Sequence, residues 1–81
     1  MSAVPKQYNV DSPKELGRRI RAARKAQGLT QVDLAEIAGV GPRFLSELER
    51  GKETVRLGLT LKIARLVGLD LFAVPRGGAE L

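Results

Sequence analysis

Between Thr30 and Leu48 almost every position answers to its own steric demand. Thr30 offers an N-cap oxygen to a helix that carries Leu34, Ala35 and Ala38 on its inner side, with Asp33 three residues on. Asp33 is one methylene short of the residue that completes an ideal capping box, although its charge suits a helix N-terminus. Gly39 ends this helix four residues after Ala35, at a turn position that needs a positive φ and that glycine takes without steric cost. Ala35 is small enough for a second helix to cross closely. That helix starts with Gly41 as N-cap and Pro42 as first residue and runs to about Arg50. Leu45 and Leu48, at i and i+3, anchor its inner side, and Val40 plugs the turn. Two short helices crossing steeply about a three-residue turn leave the N-terminal half of the second one free. The simpler alternative is an ordinary helical hairpin inside a bundle.

The flanking residues supply two more helices. Ser12, Pro13 and Glu15 give an N-cap, a first helical residue and the third position of a capping box. Leu16, Ile20 and Ala23 then follow as an amphipathic stripe, with Arg18, Arg19, Arg21, Arg24 and Lys25 assigned to the other face, and Gly28 closes the helix. A fourth helix is expected from about Arg56 to Val67, burying Leu59, Ile63, Leu66 and Val67 and stopped by Gly68. Leu69 to Val74 is short, apolar and bounded by Gly68 and Pro75, which reads as a strand, with a fifth short helix as the alternative. The expected organisation is an N-terminal arm over 1–11, a helical domain over 12–68, a strand over 69–75 and a disordered tail over 76–81.

Composition narrows the function. With 81 residues the chain forms one domain, and with neither cysteine nor histidine it lacks thiolate and imidazole ligands and the commonest general base. No enzyme activity, metal or cofactor is expected. No run approaches the ~18 apolar residues of a membrane helix, and Met1 to Val10 lacks a signal-peptide core, so a cytoplasmic protein without membrane contact is expected. Residues 1–29 hold seven Lys/Arg against two Asp/Glu, residues 30–55 three against five, and residues 56–81 four against two. A basic first third suits nucleic acid, and equally a solvated helix surface.

The stretch Gly28 to Lys52 resembles the helix-turn-helix family of Xre, Cro and lambda-type repressors. Its markers are Leu29-Thr30-Gln31, Leu34-Ala35, Gly39-Val40, Leu45-Ser46 and Leu48-Glu49-Arg50-Gly51, and the resemblance continues to about Leu71. It implies an all-α fold: a lambda-repressor-like four-helix helix-turn-helix domain, whose second motif helix lies in the major groove of an inverted repeat as part of a dimer. A narrower resemblance, carried by Ser12 to Gly17, Arg43 to Lys52 and Gly68-Leu69-Asp70-Leu71, is to HipB-type antitoxins. That likeness implies a repressor of its own operon and a HipA-like serine/threonine kinase toxin as partner. A stand-alone regulator without a toxin, and an adaptor that no longer reads DNA, are the competing functions. No small-molecule ligand is expected.

On this reading Thr30 and Gln31 meet a phosphate at the start of the first motif helix. Gly41, Pro42, Arg43, Phe44, Ser46 and Glu47 face the groove. Arg43 is the best base reader, because arginine bonds guanine O6 and N7 together. Its alternative is an i,i+4 pair with Glu47. Phe44 contacts thymine methyls or fills the core; Ser46 reaches DNA or faces solvent. Pro42 and Phe44 stand where many relatives carry polar or hydroxyl residues, which shifts weight to DNA shape. Lys52 suits a phosphate, and Arg18, Arg21 and Lys25 suit either phosphate or an acidic protein. Leu69, Asp70, Leu71, Phe72, Ala73 and Val74 form the expected dimerisation strand, since a lone strand exposes backbone groups that invite a second chain.

Overall fold

A computed structural model describes residues 6–78; the expected arm residues 1–5 and tail residues 79–81 lie outside the described residues. Four helices follow one another: α1 (Pro13–Ala26), α2 (Gln31–Ala38), α3 (Pro42–Glu49) and α4 (Leu57–Leu66), then a 3-10 turn, Arg76–Gly78. The first three begin where Ser12, Thr30 and the Gly41-Pro42 pair place them. Ser12 Oγ accepts from the Glu15 N–H at 3.0 Å. Its box stays half-made, because the Glu15 carboxylate turns to Arg19 at 2.6 Å and Arg18 at 3.2 Å instead. At α2 the outcome is reversed. Asp33 does close a full capping box, with Thr30 N–H to Asp33 Oδ2 and Asp33 N–H to Thr30 Oγ1 both at 3.0 Å, so the shorter side chain reaches. Gly39 sits at φ 72, and the Val40 N–H returns to the Ala35 carbonyl at 2.9 Å, which closes the turn.

Ile20, Leu34, Ala35, Ala38, Leu45, Leu48, Ile63, Ala64 and Val67 form the core, with Leu16, Ala23, Val40, Phe44, Val55 and Leu69 packed around it. The helices are also tied end to end. Gln27 Nε2 donates to the Val67 carbonyl at 2.7 Å, and Lys62 Nζ to the Ala38 carbonyl at 3.1 Å. These bonds satisfy helix-end carbonyls that have no intrahelical donor.

Three expectations are corrected by packing. Leu66 is 40% exposed rather than buried, because the buried side of α4 runs through Thr60, Ile63, Ala64 and Val67. Arg24 does not share the solvent face of α1; it is buried. Among the described residues there is no strand: 69–75 has no regular secondary structure, and Asp70 to Val74 are all exposed. A strand exists only through ladder bonds to a neighbour, and this single chain offers the segment none. Among the described residues, no helix is long and apolar enough to cross a membrane.

Candidate nucleic-acid interface

The crossing of α1 over α3 sets where the interface stands. A Cβ added at Gly17 would lie 2.4 Å from the Leu48 carbonyl oxygen and 2.7 Å from that of Glu49. Only a residue without a side chain lets the two backbones approach so closely. Next to this crossing Arg24 Nε donates to Glu49 Oε2 at 2.7 Å, and Nη2 to Oε1 at 2.9 Å. The third arm, Nη1, donates to the Leu29 carbonyl at 2.7 Å. The two side chains are 7% and 2% exposed. The hydrogen bond that Arg24 donates to Glu49 raises the Arg24 pKa further above its already high ordinary value. One buried pair thus fixes three things: α1, the C-terminal end of α3, and the chain entering α2.

Gln31 joins this network. Its Nε2 donates to Glu49 Oε1 at 3.0 Å. A primary amide carries two N–H donors, so with one held by Glu49 the other can serve a further acceptor. Thr30 is bound up in the capping box, which also holds the Asp33 carboxyl below its ordinary range, chiefly through the Thr30 backbone N–H.

On α3 the inner and outer residues separate cleanly. Leu45, Leu48 and Glu49 are buried. Phe44 is half-buried and packs against the core. Gly41, Pro42 and Arg43 are exposed, and the Arg43 side chain is 90% so. Arg43 Nε lies 3.4 Å from Glu47 Oε2, while Lys52 Nζ donates to Glu47 Oε1 at 3.2 Å. Ser46 Oγ accepts from Arg50 Nη1 at 2.9 Å. The structure therefore brings Arg43, Glu47 and Lys52 together, and separately ties Gln31 to the buried Arg24–Glu49 pair. Arg21 and Lys25 are exposed on α1, and Arg19 stacks on the Tyr8 ring at 3.6 Å.

Two positioning residues, Arg24 and Glu49, escape a reading by residue type. Spacing carried the signal. Arg24 follows the buried Ile20 by four residues, and Glu49 follows the buried Leu45 by four, so both charges lie on apolar stripes.

The helix-turn-helix family profile matches residues 20–73. This chain is a member of the helix-turn-helix family. It is similar to the HTH-type transcriptional regulator y4mF of Sinorhizobium fredii, at 39% identity over 68 residues that cover 84% of this chain and 90% of the relative. Among solved structures, the protein of a HipB-O4 20mer complex superimposes with a TM-score of 0.77 at 23% identity, covering 86% of this chain and 99% of that one. A HipA-HipB-O2-O3 complex gives the same TM-score, 0.77, with the same identity and coverage, 23%, 86% and 99%. At that identity the likeness is one of fold: four helices with the helix-turn-helix at α2 and α3.

Proposed function

We propose that this helix-turn-helix regulator is an operator-binding repressor that works as a homodimer on an inverted repeat, and that it is the antitoxin of a HipA-like kinase toxin. The observation that carries the DNA reading is the division of α3, with Leu45, Leu48 and Glu49 buried and the Arg43 side chain 90% exposed in its first turn. A helix anchored from behind and open at its N-terminal half is what a major groove admits. Arg43 reads a base. Gln31, Thr30 and Lys52 meet phosphate, and Gly41, Pro42, Ser46 and Glu47 line the groove, with Phe44 packed behind them. In this reading residues 12–68 are the reading domain, 1–11 an arm and 76–81 a tail. Leu69, Asp70, Leu71, Phe72, Ala73 and Val74 pair across the two-fold axis. The dimer then sets its two α3 helices about 34–36 Å apart, one DNA turn.

The antitoxin role rests on the HipB-like fold and on a similar structure being a complex of HipB with HipA. The second reading is a regulator without a toxin; sequence identity is greater to y4mF, an uncharacterized HTH-type transcriptional regulator, than to the HipB structures. Purification from the native host separates them, since a co-eluting kinase-like protein is expected only of the antitoxin. For the DNA reading the decisive measurement is binding against salt. Arg43→Ala should cost roughly 1–3 kcal/mol at one base pair of each half-site, whereas Gln31→Ala should weaken all sequences alike. Equal losses on operator and random duplex for Arg43→Ala would remove Arg43 as the reader.

A further inference from the structure

Two cations of the candidate interface meet at one carboxylate of their own chain. Glu47 holds Lys52 Nζ at 3.2 Å and Arg43 Nε at 3.4 Å, one from the loop after α3 and one from the preceding turn of α3. The backbone reinforces this, because the Lys52 N–H donates to the Glu47 carbonyl at 3.0 Å. The loop carrying the ammonium is therefore fixed to the turn carrying the carboxylate. Glu47 lies beneath its partners: its side chain is 22% exposed, against 90% for Arg43 and 47% for Lys52. The Lys52 hydrogen bond, with smaller help from the charges of Lys52 and Arg43, holds the Glu47 carboxyl below the usual range.

A carboxylate on a face that approaches a polyanion is repelled by it. Such a group earns its place there in one of two ways. It accepts a bond from cytosine N4, or it restrains the cations around it until a better partner arrives. The second fits the arrangement, since both Glu47 oxygens are already engaged and the side chain is set back behind Arg43.

We infer that Glu47 is a specificity-determining residue that sequesters Arg43 and Lys52 on random DNA and releases them where the base sequence offers Arg43 a bidentate partner. The inference rests on the reading that the outer face of α3 meets DNA. On random sequence, a phosphate must displace Glu47 from each cation while its charge opposes approach. On the matching site, guanine O6 and N7 replace the single long bond of Arg43, and Lys52 turns to the backbone. Specificity here comes from weakening the wrong complex as much as from strengthening the right one.

The test is Glu47→Gln, which keeps the shape and removes the charge. Two duplexes are compared: one of random sequence, and one selected from a random pool by the wild-type protein. The variant should bind the random duplex about tenfold tighter near 0.1 M salt, with a salt slope steeper by about 1 to 2, the counterion release of one or two freed cations. The selected duplex should gain less, so the ratio between them narrows. Placed in an Arg43→Ala, Lys52→Ala background, Glu47→Gln should lose most of its effect on the random duplex. Glu47→Ala should act in the same direction, and thermal unfolding of each variant reads out its fold. Loss of affinity on the selected duplex with no gain on the random one would make Glu47 a direct base reader and overturn the inference; so would equal gains on both, which is a net-charge effect. A wild-type protein that selects no duplex removes the DNA reading, and this inference with it. One that selects a duplex while Glu47→Gln leaves the ratio unchanged removes this inference alone.

Discussion

Removing the Glu49 carboxylate would leave the Arg24 guanidinium buried with its charge uncompensated, its remaining bond running to the Leu29 carbonyl. Breaking a buried pair in this way typically costs about 3–5 kcal/mol. For a domain of this size each kcal/mol moves the melting point by roughly 4–8 °C. Glu49→Ala should therefore lower Tm by more than about 10 °C, followed by circular dichroism. Replacing both partners with apolar residues, Arg24→Met with Glu49→Leu, should restore most of the stability. It should not restore DNA binding, because Gln31 loses the oxygen that orients its amide at 3.0 Å. A double variant that binds as well as wild type would make the pair purely structural. Residue type alone did not reveal this role: Arg24 is one of six cations on α1, and its burial depends on where α3 lies.

Helix boundaries follow from local chemistry and were legible for that reason. Ser12, Thr30 and the Gly41-Pro42 pair mark three starts, and Gly39 marks the turn. What local chemistry could not give was the closeness of one helix to another. Gly17 and Gly58 make the contrast measurable, since each is a glycine inside a helix, where alanine is normally better by up to about 1 kcal/mol. A Cβ at Gly58 meets nothing within 4 Å, so Gly58→Ala should raise stability by several tenths of a kcal/mol, up to about 1. At Gly17 the same change drives a methyl into the carbonyls of Leu48 and Glu49, backbone atoms that cannot step aside. Gly17→Ala should destabilise despite the gain in helix propensity, by about 1–3 kcal/mol as for other overpacked sites. Denaturant midpoints moving in opposite directions would bear out the close crossing of α1 and α3; a shared rise would contradict it.

At the scale of the whole molecule, apolar surface is left over. Phe72 is 76% exposed, Leu57, Leu61, Leu71 and Val74 are exposed as well, and a groove of about 430 Å³ runs between Leu61, Arg65 and the segment from Leu69 to Phe72. In the sequence this region read as a strand; the chain by itself holds it without a ladder. If a second copy covers it, Phe72→Asp should give a monomer in sedimentation, and affinity for an inverted repeat should fall to that of a half-site. A dimer that survives Phe72→Asp would move the interface elsewhere. The helical fold was thus accessible from one chain's pattern, whereas the fate of this segment depends on what meets it.

The alternation along α3 has a further consequence. Leu45, Leu48 and Glu49 face the interior, whereas Glu47 pairs with Arg43 and Lys52 on the outer side. The ion pairs of Glu47 and of Glu49 share no partner, so changes to one set should add nearly independently to changes in the other. Such a helix behaves like type set in a fixed frame. If the outer face of α3 reads DNA, its binding address can be rewritten at a few outward positions while the inward ones keep the molecule standing. On that reading, grafting the outer α3 residues of one relative onto another should retarget the protein while leaving the scaffold untouched.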